Sequence, residues 1–167
     1  MIKNNVTRLL DSRKIPYKAF ELPAEKLGAI ESARLLGVDP GLVYKTIVIL
    51  REKGRKPLLA VIPGDRAVDL KALAAFLGEK KLLLPTQREA EALTGLKAGG
   101  ISPLALLNRG FQVVLDSAAL DHPEIHISGG QRGLNLRLPV TALIELTRAH
   151  SAAISIALAD SSEEQDQ

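Results

Sequence analysis

A short apolar run that contains one lysine constrains the fold of this chain more than any other feature. Residues 42–50 read LVYKTIVIL, and their β-branched content and short length are typical of a buried strand. Lysine is almost never buried without a partner, so Lys45 either extends its ammonium group to the edge of the sheet or faces a polar cavity. The run therefore predicts an internal strand with Lys45 as a candidate functional residue.

Two glycine-rich turns are able to present backbone groups to a ligand. The first, residues 94–103, reads TGLKAGGISP, and the second, residues 128–133, reads SGGQRG. Glycine has no Cβ and accepts positive φ, so the paired glycines allow close approach to main-chain N–H groups, while proline fixes φ after the serine. Each turn taken alone is equally compatible with a tight connection, because glycine, serine and proline are common turn residues.

The rest of the chain alternates short helical and strand patterns, without an evident linker or internal repeat. Helices are predicted around Val6 to Leu10 and at residues 31–36, 69–77, 86–93 and 140–149. Strands are predicted at residues 17–22, 42–50, 58–63, 81–84, 111–116, 125–128, 134–138 and 152–158. This order indicates a mixed α/β fold with many short strands instead of repeated parallel βαβ units.

Several residues mark the ends of these elements. Gly37 and Gly78 are placed to end helices, and Thr86 with Glu89 has capping-box spacing. Asp69 is most simply a helix N-cap, and Asp65 a turn residue.

Length and composition indicate one domain at residues 1–158, followed by an acidic tail at residues 159–167 that we expect to fray. The chain has no cysteine, which excludes disulfides and thiolate nucleophiles. No apolar run approaches the roughly 20 residues of a membrane span, and the N-terminus lacks an apolar signal core. We therefore expect a soluble, cytoplasmic protein with no membrane partner.

The charge of the chain is compatible with an RNA partner. The formal net charge is +3, and residues 1–158 carry +7, from 22 basic against 15 acidic side chains. A basic body attracts phosphate, although moderate positive charge is also common in proteins that bind no nucleic acid. The cations of residues 53–56 fit a solvated hairpin loop better than an RNA contact. The five aromatic residues are scattered, which argues against a platform for stacking successive bases.

The lysine strand and the two glycine turns, in this order, resemble motifs of the YbaK family. The family's strand lysine followed by threonine is matched by Lys45-Thr46, its TG-x-x-x-GGISP segment by residues 94–103, and its SGG-x-RG turn by residues 128–133. The resemblance covers about residues 2–148.

Members of this family hydrolyse aminoacyl-tRNA in trans and are related to the editing domain inserted in bacterial prolyl-tRNA synthetases. The resemblance implies a mixed sheet curled toward a barrel, with surrounding helices and one cleft where the lysine and both turns meet. It also implies a deacylase of cysteinyl-tRNA(Pro), a hydrolase or a lyase, which binds the tRNA acceptor end. Prolyl-tRNA synthetase is a candidate partner. We expect no cofactor, and a monomer or a weak homodimer.

The predicted catalytic residue is Lys45, acting through its charge, because lysine is a poor general base unless its pKa is strongly lowered. The chain has neither cysteine nor a Gly-x-Ser-x-Gly motif, so no covalent nucleophile is recognisable. The resemblance implies that the substrate supplies one, through the thiol of its own cysteine. The predicted substrate-binding residues are Phe20, Thr46, Gly99, Gly100, Ile101, Ser102, Pro103, Ser128, Gly129, Gly130 and Arg132.

Two of these residues have a second interpretation. Phe20, or a displaced Tyr17, stands where several family members have a tyrosine, and an aromatic residue in a strand is more often part of the core. Arg132 is either a phosphate-binding group or an exposed turn cation.

Metal catalysis has little support in the sequence. His122 and His126 are four residues apart, but Pro123 and the alternation that follows indicate extended chain, in which four residues span about 13 Å. No acidic cluster indicates magnesium, and no Walker-type loop indicates ATP.

Two classes of function remain open. The first is an editing hydrolase for mischarged aminoacyl-tRNA, with cysteinyl-tRNA(Pro) as the leading substrate and alanyl-tRNA(Pro) as the alternative. The second is a non-catalytic module that binds aminoacyl-tRNA or a synthetase in the same cleft.

Overall fold

The structure of the protein is a computed structural model that describes residues 2–52 and 54–158. Its α-helices are α1 (Asn5–Ser12), α2 (Ala29–Leu36), α3 (Leu70–Leu77), α4 (Gln87–Thr94) and α5 (Val140–Thr147). Its strands are β1 (Lys18–Glu21), β2 (Tyr44–Ile49), β3 (Leu58–Pro63), β4 (Arg66–Val68), β5 (Gln112–Asp116), β6 (Glu124–Ser128), β7 (Leu134–Pro139), β8 (His150–Ala152) and β9 (Ser155–Ala157). The predicted acidic tail, residues 159–167, lies outside the described residues.

The strands form three sheets in the described part of the chain. The largest has the order β2-β3-β5-β8, in which β2 is antiparallel to β3 while β3, β5 and β8 are parallel. The second has the antiparallel order β1-β7-β6, and β4 pairs with β9. A single bridge between Val43 and His126 connects the two larger sheets. None of these sheets closes on itself within the described residues, and the mixed α/β fold predicted from the sequence is confirmed.

The largest sheet is covered on both faces, which explains its apolar strands. All six residues of β3 are buried. One face of the sheet packs against the core face of the β1-β7-β6 sheet together with α1 and α5, and the other packs against α3 and Ile154. A strand buried on both faces reads as a continuous apolar run, as the sequence of β3 does.

Local signals at the helix ends are confirmed. Gly37, Gly78 and Gly95 take left-handed φ angles of +70°, +69° and +73° at the ends of α2, α3 and α4. Thr86 and Glu89 form the predicted capping box, and Asp69 caps α3 through the N–H of Ala72. Every α-helix in the described residues has eight residues, well short of the roughly 20 that a helical membrane span requires.

Two strand predictions and one predicted helix end were incomplete or wrong, and one strand was missed. The strand predicted at residues 81–84 is reduced to one bridge between Leu83 and Leu50, and Pro85, which has no N–H, follows soon after. Instead of the one strand predicted at residues 152–158, the chain forms two short strands, β8 at residues 150–152 and β9 at residues 155–157. The helix predicted to reach residue 149 ends at Thr147, because Arg148 takes a φ of +56° and turns the chain toward β8. β4 was not predicted.

A buried ion pair connects the hairpin between β2 and β3 to the end of α3. Arg51 Nε lies 3.0 Å from Glu79 Oε2, and the two side chains are only 9% and 6% exposed. Arg55, which is largely exposed, contacts the other Glu79 oxygen at 3.2 Å. Removing one partner of a buried pair is more damaging than the pair is stabilising, because it leaves an uncompensated charge.

We predict that Glu79→Ala lowers the free energy of unfolding by about 3 kcal/mol, since it leaves the Arg51 guanidinium buried without its carboxylate. Urea unfolding monitored by circular dichroism measures this change. The control is Glu31→Ala, which breaks the exposed pair between Glu31 and Arg34 and is expected to have no measurable effect. Equal effects of the two substitutions would contradict the prediction.

Candidate functional site

A cavity of about 430 Å³ opens beside the start of β2, the end of β6 and the start of β7. Segment 25–30, which leads into α2, forms another part of its wall. The predicted site residues that line this cavity, called here the first cavity, are Lys45, Thr46, Gly99, Ile101 and Ser128. The predicted residues that do not line it are Phe20, Gly100, Ser102, Pro103, Gly129, Gly130 and Arg132. The fold therefore brings the lysine strand and residues of both glycine turns to one place.

Lys45 faces the first cavity from the second position of β2. Its ammonium donates a hydrogen bond to the Gly64 carbonyl oxygen at 3.4 Å, and it forms no ion pair with any described residue. Burial lowers the pKa of the Lys45 ammonium below its ordinary value, and the nearby Asp65 carboxylate opposes this shift. The cation is held by one long hydrogen bond and is therefore free to contact an anionic or carbonyl oxygen of a ligand.

The first glycine turn has two unused backbone donors at the first cavity. The N–H groups of Gly99 and Ile101 have no acceptor among the described residues, whereas the N–H of Gly100 donates to the Lys97 carbonyl oxygen at 2.8 Å. Gly99 has a φ of +91°, a conformation that side chains rarely adopt. Two free donors beside a lysine form a suitable environment for an oxygen that gains negative charge.

Gly100 packs the first turn against the second. A Cβ added at Gly100 would lie 2.9 Å from the Gln131 Cα and from the Arg132 backbone nitrogen. The Arg132 side chain completes this contact, because its Nε donates to the Ala98 carbonyl oxygen at 2.6 Å. The glycine is therefore required for close contact between two backbones, and Arg132 bonds to the protein itself. Whether either residue also contacts a substrate stays a prediction.

Ser102 and Pro103 have structural partners away from the first cavity. Ser102 is fully buried, and its hydroxyl oxygen accepts the N–H of Leu104 at 3.2 Å. Pro103 begins the short 3-10 helix Pro103–Leu106 and lines a different cavity. Substrate contacts by these two residues also remain predictions.

The second glycine turn uses most of its polar groups internally. The N–H of Gly129 donates to the Leu134 carbonyl oxygen at 2.8 Å, and that of Gly130 donates to the Ser128 hydroxyl oxygen at 3.2 Å. Gly130 has a φ of +94° and lies against Val6 and other core atoms. Ser128 keeps its own O–H available at the wall of the first cavity.

Sequence reasoning missed a buried polar pair beside the first cavity. His126 is 3% exposed, and its Nδ1 lies 2.8 Å from Asn135 Oδ1, which makes the histidine nitrogen the donor. Burial lowers the pKa of His126, and the Asn135 hydrogen bond opposes this shift. Asn135 itself lines the cavity. The alternation of Leu134, Leu136 and Leu138 placed Asn135 on the opposite face of β7, which was the available signal.

Phe20 lies on that same polar face of the β1-β7-β6 sheet. It pairs with Asn135 in the antiparallel register, and its ring centre lies 5.5 Å from that of His126. The side chain is half-buried and does not line the first cavity. Phe20 thus supports the His126–Asn135 pair from one side, and its predicted contact with substrate is untested.

The site contains no recognisable metal centre in the residues that the structure describes. Within residues 2–52 and 54–158, no three histidine or acidic side chains are grouped in a way that would hold a metal ion. Its cations, N–H donors and hydroxyls can bind an ester carbonyl or a phosphate.

Comparison with known sequences identifies similar proteins over most of the chain. Residues 24–146 match the family described as the aminoacyl-tRNA editing domain. A protein of Enterococcus faecalis, the proposed Cys-tRNA(Pro)/Cys-tRNA(Cys) deacylase EbsC, is 35% identical over 92% of this chain and 93% of its own length. The prolyl-tRNA editing protein ProX of Acetoanaerobium sticklandii is 30% identical, and the match covers 64% of each chain. These names describe deacylation and editing, and they give no support to a lyase.

Comparison with solved structures gives a consistent result. The crystal structure of a proposed trans-editing enzyme for prolyl-tRNA synthetase superposes with a TM-score of 0.77 and 28% sequence identity. The match covers 94% of this chain and all of the other chain.

We predict that Gly100→Ala lowers the free energy of unfolding by about 2 kcal/mol, because its Cβ would press on a backbone that no rotamer change can move away. Thermal unfolding measures the loss. The control is Gly28→Ala, where an added Cβ meets no atom within 4 Å and the expected change is at most about 1 kcal/mol at the N-cap of α2. If Gly100→Ala were no less stable than this control, the close packing of the two turns would make no measurable contribution to the free energy of unfolding.

Proposed function

The chain belongs to the aminoacyl-tRNA editing domain family, and on that premise we propose that it hydrolyses mischarged cysteinyl-tRNA(Pro) in trans. The relative from Enterococcus faecalis, matched over nearly its whole length, supports this substrate. The tRNA acceptor end is the proposed ligand of the first cavity, with prolyl-tRNA synthetase as a candidate partner and the cytoplasm as the proposed location.

The observation that carries this proposal is the meeting of one unpaired cation with free backbone donors. Lys45 reaches the same cavity as Gly99 and Ile101, whose N–H groups have no acceptor among the described residues. When the ester carbonyl is attacked, its oxygen becomes negatively charged, and fixed donors stabilise that charge without having to reorganise. We assign the Lys45 ammonium to the same oxygen or to a neighbouring phosphate of the terminal nucleotide.

The attacking group is proposed to come from the substrate. The chain has no cysteine, Ser128 accepts a hydrogen bond from Gly130, and His126 is bonded to Asn135, so no described side chain at the cavity is arranged as an activated nucleophile. The thiol of the bound cysteine attacks its own carbonyl carbon, a C–S bond forms, and the C–O bond to ribose breaks. The thiol proton passes to the ribose oxygen. Water then opens the cyclic thioester, so the net reaction is hydrolysis.

Specificity follows from the size of the first cavity and from this need for a nucleophile in the substrate. A volume of about 430 Å³ is near the lower end for small-molecule pockets and suits a small side chain with part of the terminal nucleotide. Shape alone discriminates poorly between side chains that differ by one small group, by roughly 10 to 200-fold. A thiol requirement would separate cysteine from alanine more strongly than the cavity walls do.

We predict that Lys45→Ala slows the release of labelled cysteine from cysteinyl-tRNA(Pro) about 100-fold, because the first cavity loses the buried cation assigned to the carbonyl oxygen or the neighbouring phosphate. The assay follows release from cysteinyl-, alanyl- and prolyl-tRNA(Pro) in parallel. Lys26→Ala is the matched control, since Lys26 also lines the first cavity but is exposed and bonded to Gln87.

The three substrates separate the possible functions. Release of cysteine alone supports the proposal, and release of alanine reassigns the substrate while keeping the site. Tight binding of tRNA with no release above background would replace the enzyme with a binding module. Equal activity in Lys45→Ala and in the Lys26 control would remove Lys45 from the mechanism.

We predict that the activity also depends on pH through Lys45. The ammonium is charged below its folded-state pKa, which burial lowers, so activity should be lost as pH rises through a value below the ordinary lysine pKa. Lys45→Arg keeps its charge and should retain activity at that pH. Spontaneous ester hydrolysis is removed by subtracting the rate measured without protein. The ratio of the wild-type rate to the Lys45→Arg rate then cancels the effect of substrate-thiol ionisation, which is common to both. A ratio that stays constant with pH would contradict the prediction.

A further inference from the structure

A second cavity lies away from the first and shares no lining residue with it. It has a volume of about 670 Å³ and opens between the end of α1, the end of α5 and the loop that precedes β5. Leu59 of β3 lines the second cavity, and Gly64, just beyond the other end of that strand, lines the first. Five residues of extended strand separate these positions by about 16 Å.

Several cations lie in or next to the lining of the second cavity and have no carboxylate partner among the described residues. Arg13 and Arg148 line it, and Lys14 and Arg109 are sequence neighbours of lining residues. Lys56 lies along Gly110 and places its ammonium 4.7 Å from the centre of the Phe111 ring. None of these five cations forms an ion pair with a described residue, and Glu145 is the acidic residue that lines the cavity.

Two of these cations occupy backbone positions that favour glycine. In the described residues α2, α3 and α4 end at a glycine with positive φ, whereas α1 and α5 are followed by Lys14 and Arg148, each with a φ of +56°. The left-handed conformation costs a side chain roughly 1 kcal/mol, about what a cation gains near a helix C-terminus. Helix stability therefore gives little reason to prefer a cation over glycine at the two ends beside this cavity.

The remaining residue other than glycine with positive φ in the described chain is also here. Asn108, with a φ of +67°, lines the second cavity. Unfavourable backbone conformations are concentrated where binding requires them, which makes this clustering an indication of a ligand.

The first cavity cannot supply much affinity for RNA by charge. The cations that line it are Lys26 and Lys45, and Glu25 opposes them. Contacts with phosphate dominate the affinity of proteins for nucleic acids, so a protein that acts on aminoacyl-tRNA needs cations elsewhere.

One segment connects the two cavities. Gly99 and Ile101 line the first, while Pro103 and Leu106 line the second. A ligand held at the second cavity would therefore be positioned relative to the first by a short stretch of packed backbone. This connection also gives a reason for the proline of the motif at position 103, which does not line the first cavity.

We propose that the second cavity binds backbone phosphates of the RNA substrate near its acceptor end, through Arg13, Lys14 and Arg148. This inference rests on the proposed function for the identity of the RNA. The open, exposed rim suits a polyanion that passes over it.

The test removes the two charges, and with them the cost that a side chain adds to the left-handed conformation, in the variant Lys14→Gly/Arg148→Gly. Binding of deacylated tRNA(Pro) is measured by fluorescence anisotropy at several salt concentrations. We expect the dissociation constant to rise about 10-fold, and the slope of log affinity against log salt to fall in magnitude by about 1.5, for two lost phosphate contacts. Thermal stability should be unchanged or higher, because glycine suits both positions. If these cations only cap helices, RNA binding will not change.

The control variant Lys71→Ala/Lys80→Ala removes the same charge from exposed positions of the chain outside both cavities. It should leave the dissociation constant within twofold. Loss of affinity in the control equal to that in Lys14→Gly/Arg148→Gly would overturn the proposal, since net charge alone would then explain binding.

Turnover separates this inference from the proposed function. For full-length cysteinyl-tRNA(Pro) we expect Lys14→Gly/Arg148→Gly to raise KM about 10-fold with little change in kcat, and to leave hydrolysis of cysteine esterified to a CCA trinucleotide unchanged. A wild-type protein that hydrolyses neither substrate, while the variant still binds tRNA more weakly than the control, would reject the proposed activity and retain the RNA site. Normal tRNA binding by the variant would reject the RNA site whatever the activity.

Discussion

The burial of β3 on both faces is the constraint on which the rest of the structure depends. A strand in that position has to be paired on both edges, and β2 and β5 provide those pairs. The antiparallel register with β2 places Lys45 opposite Ile62, near the end of β3, where its ammonium reaches the Gly64 carbonyl oxygen. A shift of one residue would move every β2 side chain to the other face and direct the lysine into the core. The packing of one apolar strand thus places the cation of the first cavity.

The two glycine turns depend on each other in a comparable way. Gly100 allows the backbones to touch, and the bond from Arg132 to the Ala98 carbonyl oxygen joins them across 34 positions of sequence. This contact holds Gly99 and Ile101 at the wall of the first cavity. The motif residues therefore divide between those that pack the turns together and those that present N–H groups, and both kinds are needed for fixed donors to face a substrate.

Much of the local structure was predictable because it depends on neighbours in sequence. The lysine-containing strand, the glycine ends of α2 and α3, and the capping box at Thr86 are all confirmed. The failures lie where long-range pairing decides the outcome. Leu83 has strand-like neighbours but finds one partner, Leu50, and the C-terminal apolar segment divides between two different sheets. Propensity cannot show which edge is available to a short strand.

The sequence by itself determined the mixed α/β class and the family motifs. It also determined that the lysine in the buried strand has to reach the edge of the sheet or a polar cavity. Only the tertiary structure decided which motif residues share a cavity, that Asn135, which is bonded to His126, lines the same cavity, and that Pro103 lines a second cavity. The physical reason is that backbone geometry sets the alternation of side chains along each element, whereas distant segments of the chain decide which face meets a cavity. Those segments meet only when the core packs.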